Sequence, residues 1–369
     1  MFVIPRMNGG GAERVVANLA NYLCGQNEVE ILAIASNESF YELDKRVTFI
    51  SQGRFIDRKN KIKVFASYVK YFPKAISFLR RGMRDFRPDV VVSFLVPADI
   101  MTYVATFGDH KFAKVYSERN DPTRRSFLKK GLLRIIYKSG DMLVCQGKKV
   151  HDYYSYIPKD KKVIIPNPLD IDNLPKPKAK EENCNLVAVG RFSKQKNFGF
   201  LIDSFRSSID KIPSECNLVI YGDGPQRNEL QEIVDSQGLR KRVLLPGAKK
   251  NILQEISGSA AFVMSSLYEG FPNALIEAMA MGLPVISTDF YTGIAKEMIK
   301  RENGFVVPVG DVEKMSDAII NMMNDEEKRY KFREENASVR DELKIEKIGG
   351  LWTNMFAKLI SKKVGGVRG

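Results

Sequence analysis

Two glutamates eight positions apart, Glu269 and Glu277, enclose the run Gly270-Phe271-Pro272-Asn273-Ala274-Leu275-Ile276. Carboxylates at that spacing flank one ligand only if the chain between them turns a corner, and the residues for a corner are present. Pro272 suits a first helical position, where its missing N–H removes no bond, and Gly282 followed by Pro284 makes a stop, so the pattern predicts a helix over 272–281. Ala261-Phe262-Val263-Met264 before it and Pro284-Val285-Ile286-Ser287-Thr288 after it read as buried strands. Glu269 then lies in a loop at the carboxyl end of a strand, where open α/β sheets bind ligands, and Glu277 in the second helical turn. The open N–H groups and the dipole at the helix start, near Asn273, offer a seat for a phosphate anion. The plain alternative for two carboxylates is a pair of solvated surface charges.

Two further segments carry charge or bare backbone at comparable places. Asn185-Leu186-Val187-Ala188-Val189-Gly190 reads as a buried strand leading into Arg191-Phe192-Ser193-Lys194-Gln195-Lys196-Asn197 and then a helical pattern through Leu201, Phe205 and Ile209. Near the start, Phe2-Val3-Ile4-Pro5 is a short strand, and Asn8-Gly9-Gly10-Gly11-Ala12-Glu13-Arg14 leads into an amphipathic helix with Val15, Val16, Leu19 and Leu23. A glycine-rich loop between strand and helix lets a ligand approach the backbone closely.

The E-x(7)-E spacing around Gly-Phe-Pro-Asn, the Gly190-Arg191 to Lys196-Asn197 segment and the Asn-Gly-Gly-Gly-Ala-Glu-Arg opening together resemble the family 4 retaining glycosyltransferases, which use sugar nucleotides and have the GT-B fold. The resemblance implies that Glu277 holds the ribose hydroxyls and that Glu269 lies beside the donor sugar. It implies that Arg191 and Lys196 clamp the donor diphosphate, the planar fork bidentately and the ammonium as a point charge. Phe271, Pro272 and Asn273 at the helix start, with Gly10 and Gly11 of the first loop, would complete the donor site. Asn217-Leu218-Val219-Ile220-Tyr221-Gly222-Asp223-Gly224-Pro225 lacks the third glycine and the later acidic residue of a nicotinamide-binding unit and matches the family's G-x-G-P turn better. Gly222 and Gly224 either line the nucleotide side or form a tight turn. Val115-Tyr116-Ser117-Glu118-Arg119-Asn120-Asp121-Pro122 departs from the family, whose members often carry a histidine there, and resembles a subset that transfers N-acetylhexosamines in bacterial surface glycan assembly. Glu118 and Arg119 are candidates for acceptor or donor-sugar contact, with an internal ion pair as the other reading.

The elements that must position these residues alternate along the chain. At 369 residues and 44% hydrophobic content the chain can build two cores. Strands near 29–34, 46–50, 90–94, 114–117, 142–145 and 163–165, then 186–190, 217–221, 243–245, 261–264, 284–288 and 304–309, alternate with helical stretches. That is the signature of parallel sheets with helices on both faces. The expected class is α/β, two doubly wound Rossmann-like domains facing a cleft: 1–165 for the acceptor, a linker over 166–184, 185–340 for the sugar nucleotide, and 341–369 as a last helix crossing back to the first domain. Strand one begins almost at Met1, which suggests a natural start somewhat earlier. The cysteines Cys24, Cys145, Cys184 and Cys216 are scattered without a C-x-x-C pair and read as buried thiols in a reducing compartment. Two histidines, His110 and His151, leave little material for a zinc site or a histidine-based triad, so no metal and no cofactor is expected. Neither a run of eighteen apolar residues nor a cleavable leader is visible, which points to a cytoplasmic protein.

Charge adds a partner. Residues 1–165 hold 29 Lys and Arg against 16 Asp and Glu, thirteen of the chain's net +14. Charge confined to one domain implies an anionic partner there, and no nucleic-acid recognition motif accompanies it. Lys59, Lys63, Lys70, Lys74 and Arg81 stack on one face of a helix whose opposite face carries Phe65, Val69, Phe72, Ile76 and Leu79, with Pro73 expected to kink it. The basic face fits an anionic membrane surface or a lipid diphosphate. The segment 124–138 mixes large apolar residues with cations as interfacial helices do. The resulting expectation is a retaining transferase that moves a UDP-linked hexose or N-acetylhexosamine to a polyprenyl-diphosphate-linked glycan, peripheral at the inner face of the cell membrane. Its alternatives are a GDP-mannose-dependent mannosyltransferase and a non-enzymatic membrane-docking scaffold of the same fold.

Overall fold

A computed structural model of the chain describes residues 1–53, 61–300 and 302–366, with side chains described outside 61–69 and 365–366. Two compact units result, Met1–Pro168 with Ile345–Gly369, and Leu169–Lys344.

The first unit is built on β1 (Phe2–Ile4), β2 (Val29–Ala33), β3 (Val47–Ser51), β4 (Val90–Phe94), β5 (Ala113–Ser117), β6 (Met142–Cys145) and β7 (Lys162–Ile164). They pair in parallel in the order β3-β2-β1-β4-β5-β6-β7. Parallel strands cannot be joined by a tight turn, so each link is a crossover, most of them through a helix, and both sheet faces become covered. Every residue of β2, β4 and β5 is accordingly buried. The chain steps outward from β1 to β3 and then resumes at β4 on the other side of β1, so the strand order reverses between β1 and β4. The Lys61–Phe86 helix keeps Pro73 inside it and buries Ala75, Ile76, Leu79 and Met83.

The second unit contains β8 (Asn185–Val189), β9 (Asn217–Tyr221), β10 (Val243–Gly247), β11 (Ala261–Met264), β12 (Val285–Thr288) and β13 (Gly304–Val307), again all parallel. Their order β10-β9-β8-β11-β12-β13 places the reversal between β8 and β11. Residues 169–184, expected as part of a linker, are tied to this unit. The Glu181 carboxylate receives Arg329 at 2.7 Å and Arg333 at 3.3 Å, and Arg340 donates to the Pro175 carbonyl at 2.8 Å.

One expectation is corrected. Cys184 and Cys216 are not thiols but a disulfide with Cα atoms 4.6 Å apart. Each immediately precedes a strand, and Asn185 pairs with Asn217 in the β8–β9 register, so the two cysteines fall side by side at the start of adjacent strands. A separation of 32 residues hid this in the linear pattern. Cys24 and Cys145 are buried free thiols.

The final helix, Ile345–Gly366, returns the chain to the first unit and packs against the Gly11–Leu23 helix. It buries Ile348, Trp352, Met355 and Leu359, and the Trp352 ring stacks on Phe94 with centroids 6.1 Å apart. A Cβ on Gly349 would lie 2.3 Å from the Tyr22 ring, whereas one on the adjacent Gly350 would meet nothing within 4 Å. Gly349→Ala is therefore expected to destabilise the fold by about 1–3 kcal/mol through overpacking. Gly350→Ala should stabilise it by about 0.5–1 kcal/mol through helix propensity. Urea unfolding of both variants checks the contrast.

Candidate active site

At the carboxyl end of β8 the chain passes through residues 190–197 into the Phe198–Ser208 helix, turning on Asn197 at φ 55 and ψ 42, a left-handed conformation that asparagine tolerates. At the end of the neighbouring β11 it passes through residues 265–272 into the Asn273–Ala280 helix, with Pro272 as its cap residue. Since the strand order reverses between β8 and β11, these loops have no helix between them and are fastened to each other. Leu267 N–H donates to the Gln195 carbonyl at 2.8 Å, Ser265 Oγ to the Lys196 carbonyl at 2.7 Å, and Gln195 Nε2 to the Tyr268 carbonyl at 2.9 Å.

Within this seam Lys196 Nζ lies 2.7 Å from Glu269 Oε1, with side-chain exposures of 18% and 10%. Ser266 Oγ donates to the same oxygen at 2.7 Å, and Gln195 Nε2 to Oε2 at 3.3 Å. Glu269 is thus a held, nearly buried carboxylate rather than a solvated surface charge, and a charge at that depth requires its partners. Glu277 is also buried, along the Asn273–Ala280 helix, as are Phe271 and Pro272, with Asn273 half-buried. The Arg191 side chain is exposed and makes no hydrogen bond or ion pair among the described residues, while its carbonyl accepts from Ser193 Oγ at 3.3 Å. The two cations expected to act as one clamp therefore differ: Lys196 is engaged with Glu269, and Arg191 stands in solvent. Gly222 and Gly224 lie against the backbone of residues 190–192. Gly190 N–H donates to the Tyr221 carbonyl at 3.0 Å and Phe192 N–H to the Asp223 carbonyl at 2.9 Å. Gly222 has φ 144, and a Cβ there would fall 1.8 Å from the Gly190 carbonyl oxygen. These glycines let one loop press on the loop that carries Arg191.

In the first unit Gly10 caps the Gly11–Leu23 helix, and Gly9 turns at φ 94. The loop is braced by residues that carried no sequence signal. Ser36 Oγ donates to Asn8 Oδ1 at 2.9 Å, Met7 N–H donates to Ser36 Oγ at 2.8 Å, Tyr41 OH donates to the Gly10 carbonyl at 3.0 Å, and the Phe40 ring covers Gly9. On the other side of the β1–β4 reversal, Leu95 sits at φ 74 and ψ 144, a region that non-glycine residues occupy only under constraint and most often at functional sites.

Glu118 and Arg119 are both buried at the end of β5. Glu118 is taken up internally by Arg125 at 2.5 Å, by the Tyr154 hydroxyl, and by the Tyr137 hydroxyl at 3.3 Å. This is the internal ion pair, made with Arg125 rather than Arg119. Arg119 donates to Asn167 Oδ1 at 2.5 Å, and its guanidinium lies 4.5 Å from the centre of the Phe94 ring. Burial pushes it down to about 9, with Glu118 acting in the opposite direction. The neighbouring Asp99 accepts from Ser93 Oγ at 2.6 Å and from the Tyr137 hydroxyl at 3.2 Å, and burial holds its carboxyl well above the ordinary range. Of the basic helix face, Lys70, Lys74 and Arg81 are exposed, with Lys70 and Lys74 reaching 5.6 and 5.8 Å from the Tyr71 ring centre. The Lys63 side chain and all of Lys59 lie outside the described residues. Among the described residues, no group of three or more His, Cys, Asp or Glu is placed to hold a metal, and no helix is long and apolar enough to cross a membrane.

Two parallel sheets of this strand order, each with functional loops at its reversal, define the GT-B architecture of nucleotide-sugar transferases. Comparison with known proteins agrees: the model described as Glycosyltransferase Family 4 matches residues 9–173, and the one described as Glycosyl transferases group 1 matches residues 170–339. The two models together span residues 9–339, and the chain is a glycosyltransferase built of these two domains. It is 29% identical over 366 residues, 97% of this chain and 98% of the relative, to the GalNAc-alpha-(1->4)-GalNAc-alpha-(1->3)-diNAcBac-PP-undecaprenol alpha-1,4-N-acetyl-D-galactosaminyltransferase of Campylobacter jejuni. Its fold matches sucrose-phosphate synthase from Thermosynechococcus elongatus with a TM-score of 0.82 at 17% identity, covering 98% of this chain and 99% of that one. It also matches Anabaena HepE in complex with UDP, with a TM-score of 0.78 at 16% identity, covering 97% and 99%.

Asp99 generates a pH prediction. Its folded pKa is raised, so as pH climbs past about 4 the unfolded chain releases this proton while the folded chain keeps it. Stability from this group is full below that pH and is lost as pH rises. Asp99→Asn should remove this component and flatten the decline in urea-unfolding free energy between about pH 4 and neutrality. An unaltered slope would show that Asp99 is ionised in the folded state.

Proposed function

We propose that this glycosyltransferase takes a UDP-linked hexose or N-acetylhexosamine and transfers the sugar, with retention of configuration, to a polyprenyl-diphosphate-linked glycan at an anionic membrane surface. The observation that carries the donor part is the Lys196–Glu269 pair at the β8–β11 reversal, beside the helix that bears Glu277. In open α/β sheets that position outside the strand ends is where ligands bind.

The reaction breaks the bond between the anomeric carbon and the β-phosphate oxygen and forms a bond from that carbon to the acceptor oxygen on the same face. The acceptor proton passes to the departing phosphate. The developing charge is met by the Lys196 ammonium, by the Arg191 guanidinium moving in from solvent, and by the N–H groups near Asn273, an electrostatic role carried by preplaced groups. Glu269, held by Ser266 and Gln195, orients the sugar hydroxyls, and Glu277 accepts from the ribose. The acceptor class is supported by the name of the Campylobacter relative, a transferase of undecaprenol-diphosphate glycan, and UDP by its presence in the Anabaena HepE structure. The exposed Lys70, Lys74 and Arg81 supply charge for the membrane surface or the lipid diphosphate.

Purified protein should be thermally stabilised by UDP more than by GDP or ADP, and should release UDP from the matching sugar nucleotide. Lys196→Ala is expected to slow transfer by about 100-fold, and Glu277→Gln to raise the donor KM with less effect on kcat. Wild-type turnover by both variants, or stabilisation by GDP alone, would overturn the donor assignment. The anomeric configuration of the product, read by NMR, tests retention.

A further inference from the structure

The Phe127–Lys138 helix of the first unit is apolar on two opposed faces, and among the described residues only one of them is covered. Leu133, Ile136 and Tyr137 are buried and pack with Tyr116, Leu143, Cys145 and Tyr154. On the other side Phe127, Leu128, Leu132 and Ile135 are 88%, 82%, 40% and 59% exposed. With about 100° per residue, the exposed set is centred roughly 150° away from the buried set. Leu128, Leu132 and Ile135 form a stripe at spacings of four and three, and Phe127 extends it at the helix start. Single exposed apolar residues are ordinary; four on one helix face are a patch that marks contact with another body.

The charges say which body. From Pro122 to Gly140 the chain has no Asp or Glu, while Arg124, Lys129, Arg134 and Lys138 are exposed and border the stripe. A second copy docked on this face by a two-fold axis would bring the same cations together, a repulsive arrangement. A protein partner would meet a stripe with cations on both margins. An anionic lipid surface satisfies both parts at once: apolar side chains enter the acyl boundary while Lys and Arg reach the headgroups.

We propose that the Phe127–Lys138 helix is the membrane-inserting element of this protein. It lies parallel to the bilayer with Phe127, Leu128, Leu132 and Ile135 among the outer acyl carbons. This rests on the reading of a lipid-linked acceptor, and it assigns insertion to this helix rather than to the Lys61–Phe86 helix, whose exposed Lys70, Lys74 and Arg81 contribute charge without an exposed apolar stripe among the described side chains.

The test uses the full chain and sedimentation with phosphatidylcholine vesicles, with and without phosphatidylglycerol. The wild type should bind the anionic vesicles and keep part of that binding at high salt, which screens charge but not burial. The triple variant Leu128→Ser, Leu132→Ser, Ile135→Ser should lose at least about tenfold in partitioning while keeping its thermal stabilisation by UDP. In a separate variant, Leu128→Trp, the new indole should be quenched by brominated acyl chains. Unchanged partitioning of the triple variant, an unquenched Trp, or loss of a concentration-dependent dimer in place of vesicle binding would overturn the assignment. Failure of UDP to stabilise the wild type would sink the donor reading and leave the vesicle result standing.

Discussion

Much of the second unit's chemistry depends on one constraint, the change of direction in strand order between β8 and β11. Had the chain continued outward from β10, the loops after β8 and β11 would not be neighbours. Because it returns to the other side of β8, two loops without an intervening helix share one edge and are joined by backbone and side-chain hydrogen bonds. The Lys196–Glu269 pair forms across that seam. Each charge is largely withdrawn from water, so each depends on the other and on Ser266 and Gln195, and such a preorganised set needs little rearrangement when new negative charge appears beside it. The site is best understood as an ionic balance set by topology, with the acid on one loop and the base on the other.

The strands were legible because parallel strands covered on both faces are written as short unbroken apolar runs, and all thirteen lie within a few residues of their sequence-derived positions. The Glu269-to-Glu277 corner was legible for a similar reason: Pro272, Gly282 and Pro284 are punctuation with local causes. Contacts across distance were not. Which cation meets Glu269 is decided by strand adjacency, so Arg191 and Lys196, five residues apart, look equivalent in sequence and differ in the fold. Ser36, Tyr41 and Ser266 are common polar residues whose roles arise from the loops they reach. Leu95 carries an unusual backbone conformation that no residue preference foretells. The Cys184–Cys216 pair depends on β8–β9 register, which a list of cysteine positions does not contain.

The first unit treats buried charge differently. At the end of β5, Glu118, Arg125, Asp99, Tyr137 and Tyr154 are joined by hydrogen bonds, and the aromatic pair Phe94 and Trp352 faces the Arg119 guanidinium, two of whose nitrogens are buried without a hydrogen-bond partner. Trp352 comes from the final helix, so the return of the chain to this unit completes the wall against which Arg119 is held. The Glu118 carboxylate is thus engaged internally, whereas Arg119 keeps donor capacity beyond its bond to Asn167. Desolvated polar groups so arranged define one conformation sharply, since every partial loss leaves a charge or hydroxyl unmatched.

Surface charge then divides along the same line. The first unit carries 34 Lys and Arg against 17 Asp and Glu, a net +17, while the second carries 24 against 27, a net −3. A lysine used for chemistry must be held, and holding it consumes a carboxylate, so a catalytic loop tends toward local neutrality. Lysines and arginines that meet an extended anionic surface gain most when no acid is near, because each adds to a shared field that acts over about a Debye length. The stretch from Pro122 to Gly140 is free of acids, whereas Lys196 is paired with Glu269. Net charge alone does not separate these two arrangements; the pairing of charges is seen only in the fold.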